Sequence, residues 1–436
     1  MINNILALLL LILASCGGDG FFGVDNSDPK LPGKRISILK NDDISVANTE
    51  AEKMQVTIPE QKSLDIWSNS NGSQYNYPAN IKLDAISDKY KEVRVLSFSS
   101  SNSYLTATPV IAENIIFILN GGGVLFAYEK NNLNKLLWKK NLSSMDEKAV
   151  AVGGGMVYQD GILYVTAGQK DVIALSAENG KEIWRHTLDN VLRSAPIIQR
   201  DKIFVSTIDN KVYFLNLRDG NTLWVNDGAS ETIGLFGSAS IAVDGNIVVI
   251  PHTSGQLHGV DIYTGQELWS ANLSYGYSSL SGFSFSDIDV TPVIRDNVIY
   301  VAGNMGSLYA INLVDGNPLW KRDIKGIRSI WASDDFLYVV DENNQLLAIS
   351  RAGGLIKYVT KLGVDIKYSY KNRVIGPVMA GDKLIIASNF GKLYIVSPID
   401  GKIIQEISIP KHVNLLPVII DNHIYLLNNE GNLIIL

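Results

Sequence analysis

The sequence predicts an all-β fold: an eight-bladed β-propeller of four-stranded antiparallel blades. Three observations predict it. A strand–turn–strand unit recurs at 172–184, 212–224, 257–269 and 308–320. In each copy a Trp falls four residues after the turn Gly, as in Gly180/Trp184, Gly220/Trp224, Gly265/Trp269 and Gly316/Trp320. Pro196, Pro292 and Pro377 open units whose equivalent positions, Trp224, Trp320 and Gln405, each lie 28 residues later. Short strands repeating every 38–51 residues point to a propeller.

The turns come first. Asn179-Gly180, Asp219-Gly220 and Asp315-Gly316 are hairpin dipeptides, in which Gly takes the positive φ that a tight turn needs. Their flanks are β-branched or aromatic, as in Val298-Ile299-Tyr300-Val301. Neighbouring blades cover both faces of a blade, so its strands should read as apolar runs rather than alternation. The recurrent Trp is best placed as a wedge between adjacent blades, where one ring buries roughly 200 Å².

Next comes the count. Trp138, Trp184, Trp224, Trp269, Trp320, Tyr358 and Gln405 mark seven units. An eighth opens at Pro417, and the sequence ends at Leu436 before its wedge position. A propeller must close, because an open blade leaves strand edges unpaired. Asp65-Ile66-Trp67 is expected to supply the missing outer strand, pairing the N-terminal strand with the C-terminal blade. Seven blades is the competing count.

Length and charge narrow the function. The chain has 436 residues and a net charge of −6, without a Lys/Arg run in the repeats, which argues against a nucleic-acid binder. The segment Ile5–Ala14 is apolar but too short to span a bilayer, which needs about 20 residues. It ends in Leu13-Ala14-Ser15-Cys16, similar to a bacterial lipoprotein processing site. Residues 1–15 then read as a signal peptide and Cys16 as the lipidated first residue. Cys16 is the single Cys, so an intrachain disulfide is impossible. Residues 16–62 read as a flexible tether reaching roughly 40 Å, and 63–436 as the propeller. The stretch Gln55–Pro59 is a candidate strand against it.

Catalytic chemistry is not legible. His186, His252, His258, His412 and His423 have no ligand spacing with Asp, Glu or Cys, so no metal site is expected. His252 and His258 flank the turn Ser254-Gly255 and are placed to face each other across it. Gly121–Gly123 and Gly153–Gly155 precede no helix with Lys-Ser/Thr, so they read as strand turns rather than phosphate loops. No cofactor is expected. The connections vary in length while the strands do not. The longest, 270–289, mixes Tyr and Phe with Ser and Gly, a composition of protein-binding loops. The loop 225–240 is similar, though its aromatics serve equally as caps on the blade ends. Arg193 and Asp289 each lie three residues before a unit-opening Pro, so Leu192-Arg193 and Asp287/Asp289 should emerge on one rim.

Repeat and lipoprotein signal together resemble the BamB family, lipoprotein subunits of the outer-membrane β-barrel assembly machinery, within the wider quinoprotein-like eight-bladed propellers. Ser286-Asp287-Ile288-Asp289-Val290-Thr291-Pro292 is similar to the acidic loop with which that family docks on the POTRA domains of BamA. Leu192-Arg193-Ser194-Ala195-Pro196 is similar to its other docking loop, which has a slightly longer spacer. The resemblance implies a non-enzymatic periplasmic scaffold on the outer membrane of a Gram-negative bacterium. Its partner would be BamA, with unfolded outer-membrane proteins as further clients. Gly17 in place of Asp after the Cys fits outer-membrane sorting by the same resemblance. A pyrroloquinoline quinone dehydrogenase and another cell-envelope binding propeller share the repeat and stay open as alternatives.

Overall fold

The structure, a computed structural model, describes residues 46–69, 72, 80–96, 105, 107–142, 154–167, 169–228, 239–273, 288, 290–303, 306–363 and 372–436. Cys16, Asp287 and Asp289 lie outside the described residues, as do most of the loops expected to bind protein.

Consecutive four-strand meanders follow one another along the chain. The first blade is Val110–Ala112, Ile115–Leu119, Val124–Glu129 and Asn132–Asn141. The second is Gly155–Gln159, Ile162–Thr166, Asp171–Ser176 and Glu182–Thr187. The third is Ile197–Gln199, Lys202–Ser206, Lys211–Asn216 and Thr222–Asp227. The fourth is Ala242–Asp244, Ile247–Pro251, Gln256–Asp261 and Glu267–Asn272. The fifth spans Val293–Asp323 and the sixth Ile330–Lys361 in the same pattern. Pairing is antiparallel within each.

The sheet that closes the ring joins a strand from before the first blade to the C-terminal strands. Val418–Ile420, His423–Leu427 and Asn432–Ile435 take Lys91–Arg94 as their outer strand, with Val93 opposite Leu433. Closure of an N-terminal strand on the C-terminal sheet is therefore as expected, but the strand is not Asp65-Ile66-Trp67. That stretch is held elsewhere: Trp67 exchanges two backbone hydrogen bonds with Ile111, on the inner strand of the first blade. Trp67 is only 1 % exposed. A large ring gains more inside than on an outer strand, whereas Lys91, Glu92 and Arg94 suit a solvated edge.

Seven sheets are four-stranded antiparallel blades, not the expected eight. The unit that opens at Pro377 departs from the pattern. Its meander, Val374–Ala380, Lys383–Ser388, Lys392–Val396 and Ile403–Ser408, carries two short parallel strands, Asn80–Ile81 and Gln61–Lys62. They add to the free edge of the inner strand, where Gly381 N–H donates to Ile81 O at 2.9 Å.

The wedges sit as the repeat demands. A Cβ built on Gly180 would lie 2.7 Å from the Trp138 ring, and one on Gly316 2.6 Å from the Trp269 ring. Each wedge thus rests on the turn of the next blade. The indole N–H then donates to a carbonyl there: Trp138 to Ala177 at 3.0 Å, Trp269 to Leu313 at 2.8 Å, Trp320 to Arg351 at 2.7 Å. Tyr358 replaces the Trp in kind, its hydroxyl donating to Pro398 O at 3.1 Å. The first three strands of a blade are buried almost throughout, as in Val298–Gly303 and Ser307–Asn312. The fourth strands instead alternate, as in Glu182–Thr187, because the wedge face alone meets a neighbour.

The compact unit that holds the propeller runs Ile44–Leu436, ahead of the expected boundary at 63. Asn48 caps a helical turn, Thr49–Glu52, accepting from Glu50 N at 2.8 Å. Asn48 N–H also donates to Ile356 O, on the outer strand of the sixth blade. Lys357 Nζ secures the segment with hydrogen bonds to Glu52 O at 2.8 Å and Met54 O at 2.6 Å. Of the expected tether, the described stretch from Val46 to Lys62 is thus held against the propeller. Backbone and Lys donors hold this stretch, which a composition count does not register.

Candidate functional site

The segment entering the third blade is pinned rather than projecting. Leu192 is fully buried, packed with Val172, Leu188 and Tyr213. Its backbone bridges Thr207, and Arg193 N–H donates to Ser206 O at 2.8 Å. Ser194 Oγ lies 2.8 Å from Ser206 Oγ, and Thr166 Oγ1 donates to Ser194 O at 2.9 Å. Arg193 is 5 % exposed. The expectation that Leu192 and Arg193 emerge on a rim is therefore corrected. An apolar side chain beside a ready strand edge is more stable inside. Ile288, between the two Asp positions of the other loop, is likewise buried.

The His pair does meet. His252 and His258 rings are 4.4 Å apart, edge to face. They lie in the seam between the third and fourth blades, where Asn210 Nδ2 donates to Thr253 Oγ1 at 2.7 Å. Burial pushes His252 down to about 3, helped by the charges of His258 and Arg193. Burial also lowers His258, against the pull of Glu267, whose Oε2 lies 2.9 Å from His258 Nδ1. Among the described residues no three His, Cys, Asp or Glu side chains gather as a metal site would need.

Sequence reasoning missed a second feature, a cavity of about 710 Å³ among the inner strands. Trp67, Trp331, Asn343, Arg373 and Leu416 are among the residues lining it. The N-terminal segment reaches the inner strands of three sheets: Trp67 at Ile111, Ser68 O accepting from Tyr158 N at 2.8 Å, and Ile81 at Ala380. Asp341 on the wall is buried, which pushes its carboxyl up to about 6. Two backbone N–H groups, of Asn343 and Gln345, oppose that shift by donating to its Oδ1. The signal was Trp67, read as part of an outer edge strand although Trp favours burial. The turn Gly121–Gly123 is a strand connection, with Asn120 Oδ1 accepting from Gly122 and Val124 N–H.

Fold and repeat define a PQQ-like-repeat β-propeller whose blades are docked by aromatic wedges. The chain belongs to the family described as outer membrane protein assembly factor BamB, whose model matches residues 134–358, more than half of the sequence. It is 28% identical over 367 residues to "Uncharacterized protein RP232" of Rickettsia prowazekii, covering 83% of this chain and 79% of that protein. It is 23% identical over 336 residues to outer membrane protein assembly factor BamB of Yersinia pestis, covering 75% and 84%. Among solved structures, BamB from Moraxella catarrhalis superposes with a TM-score of 0.66 at 19% identity, covering 79% of this chain and 98% of that one. Quinohemoprotein alcohol dehydrogenase from Comamonas testosteroni superposes with a TM-score of 0.65 at 12% identity, covering 83% and 76%. These structural likenesses establish the fold alone.

Proposed function

We propose that this chain is a non-catalytic scaffold of the outer-membrane β-barrel assembly machinery, binding the POTRA domains of BamA. Membership in the BamB family carries this reading. Lipid on Cys16 would hold it to the periplasmic side of the outer membrane of a Gram-negative bacterium. Arg193, Asp287 and Asp289 are the proposed docking residues. Leu192 and Arg193 are both buried and meet a partner only if that segment opens. The six-stranded sheet is proposed to count as the eighth blade of the ring, since four of its strands repeat the meander. The test is an affinity capture from solubilised outer membranes with three baits: wild type, Asp287→Ala/Asp289→Ala, and Arg193→Ala. Recovery of BamA by wild type and its loss with the variants supports partner and site. Equal capture by all three rejects the site, and no BamA with wild type rejects the scaffold. Incorporation of labelled palmitate that disappears in Cys16→Ser supports the anchor; unlabelled wild type rejects it.

The outer strands suggest a second contact. The residue before each wedge is aliphatic and exposed: Leu137, Ile183, Leu223, Leu268, Leu319 and Ile404. On the sixth blade Lys357 takes that place, under the chain's own N-terminal segment. Unfolded outer-membrane strands could pair with the open edges by β-augmentation. Proline placed in those edges should abolish client binding; unchanged binding removes the idea.

A second reading, an enzyme using pyrroloquinoline quinone, rests on the shared repeat and fold alone. A shifted quinone absorbance on titration with Ca²⁺ present would favour it, and an unperturbed spectrum would reject it.

A further inference from the structure

The seam between the third and fourth blades holds groups that tolerate only one protonation state. His252 is 1 % exposed, and Nε2 of both His252 and His258 is buried with no hydrogen-bond partner among the described residues. A protonated imidazole needs acceptors for two N–H groups. Its second N–H would have none here. The charge would also be poorly compensated. Arg193 faces the pair from the segment entering the third blade, and Glu267 touches His258 from the outer strand of the fourth. Those two are the charged groups that meet the pair among the described residues; Glu267 is half-exposed. The other contacts are neutral. Asn210 exchanges hydrogen bonds with Thr253 at 2.7 and 3.2 Å. Gly228 lies so close that a Cβ there would collide with the His252 ring. There is no slack to absorb a new charge.

We propose that this seam is a proton-operated latch: protonation of the His252–His258 pair loosens the third blade from the fourth and frees the Arg193 segment that leans on it. The unprotonated pair is compatible with a closed seam. Two imidazolium ions beside Arg193, against one half-exposed carboxylate, are not. The link from latch to docking rests on the proposed role of Arg193; the latch itself does not. The sign follows from the depressed pKa. The closed seam refuses the proton until about pH 3, while the opened seam accepts it near 6.5. Opening is therefore favoured progressively as pH falls below 6.5.

Amide hydrogen exchange of the full chain at pH 7.5 and 5.0, corrected for intrinsic exchange, reads the opening directly. Thr253, whose N–H donates across the blades to Asn210 Oδ1, reports on the seam. Arg193 N–H reports on the segment, and Leu313 N–H, bonded to Asn297 O in the fifth blade, is the control. One histidine moving from 6.5 to about 3 predicts an about 30-fold loss of protection at the seam between these pH values. Leu313 should keep its protection, and His252→Gln/His258→Gln should remove the response. Equal seam protection at both pH values in the wild type overturns the latch, whatever the variant does. A response that survives in the Gln variant overturns it too. Seam loss with Arg193 still protected rejects the link to that segment. No partner is present, so these outcomes are independent of BamA capture.

Discussion

The two sides of the fourth blade use the same repeat and reach opposite results. On one side, Trp269 lies on Gly316 of the fifth blade, 7 % exposed, with its N–H donated to Leu313 O. On the other, Trp224 lies against Gly265 of the fourth blade with its Nε1 buried and without a hydrogen-bond partner among the described residues. The cross-strand neighbour explains the difference. Trp269 stands opposite Gly259, and Trp138, Trp184 and Trp320 stand opposite Ala127, Ala174 and Ala310. Trp224 stands opposite Phe214. A small partner lets the wedge settle until its N–H meets a carbonyl. With a phenyl ring beneath it the indole still reaches Gly265, where a Cβ would lie 2.4 Å from the ring, but its N–H meets no acceptor among the described residues. The same seam houses the His pair. Wedge position sets the architecture, and the residue beneath the wedge sets the quality of each seam.

This comparison breaks most visibly at the satisfied wedge. Trp269→Ala should lower unfolding free energy by about 3–5 kcal/mol in urea titration, the usual loss for a buried Trp. Trp224→Ala should lose less, because it forfeits no hydrogen bond.

The next effect is acid sensitivity confined to one side. His252 is depressed to about 3, so its stabilisation is complete above 6.5 and lost as pH falls below that. Stability at pH 5.0 should be about 2 kcal/mol below that at pH 7.5 from this group alone. His252→Gln should flatten the profile of denaturation midpoints. A full slope remaining in that variant would place the acid sensitivity elsewhere.

Lys357→Met tests the docked N-terminal segment. It removes two charge-assisted hydrogen bonds, to Glu52 O and Met54 O, at a loss of about 1–3 kcal/mol. Limited proteolysis should then cut between Val46 and Pro59 much faster than in wild type, with the propeller intact. Unchanged cleavage would show that Asn48 and its cap suffice.

The smallest effect is the sharpest comparison. Trp320→Phe removes a donor that has an acceptor at 2.7 Å and should cost about 1 kcal/mol beyond lost area. Trp224→Phe removes a donor without one, so its hydrogen-bond term should be neutral or stabilising. Equal losses in the two would show that satisfaction of the indole does not distinguish the seams.

Most of the blade pattern was legible because it is local. Turn Gly, wedge and strand lie within thirteen residues, as at 172–184, and each fixes its own geometry. The facing of His252 and His258 was legible for the same reason, since a hairpin of known turn sets which residues meet. The docking loop was not legible at the level of exposure. Leu192 and Arg193 were placed by their distance from Pro196, which gives position along a blade but not depth. Depth came from Thr207 and Ser206, strand-edge partners that no spacing announces.

The sequence by itself determined the wedge-docked propeller, the run of blades and the closure of the C-terminal sheet by an N-terminal strand. Periodicity and turn chemistry act over a few residues, and an unclosed edge demands a partner. Only the tertiary structure decided which strand closes the ring, what Trp67 does and which wedges keep a hydrogen bond. Asp65-Ile66-Trp67 and Lys91–Arg94 both precede the first blade in the chain. The choice turned on where a large indole could be buried and where charged side chains could stay in water. That is a competition over the whole folded surface.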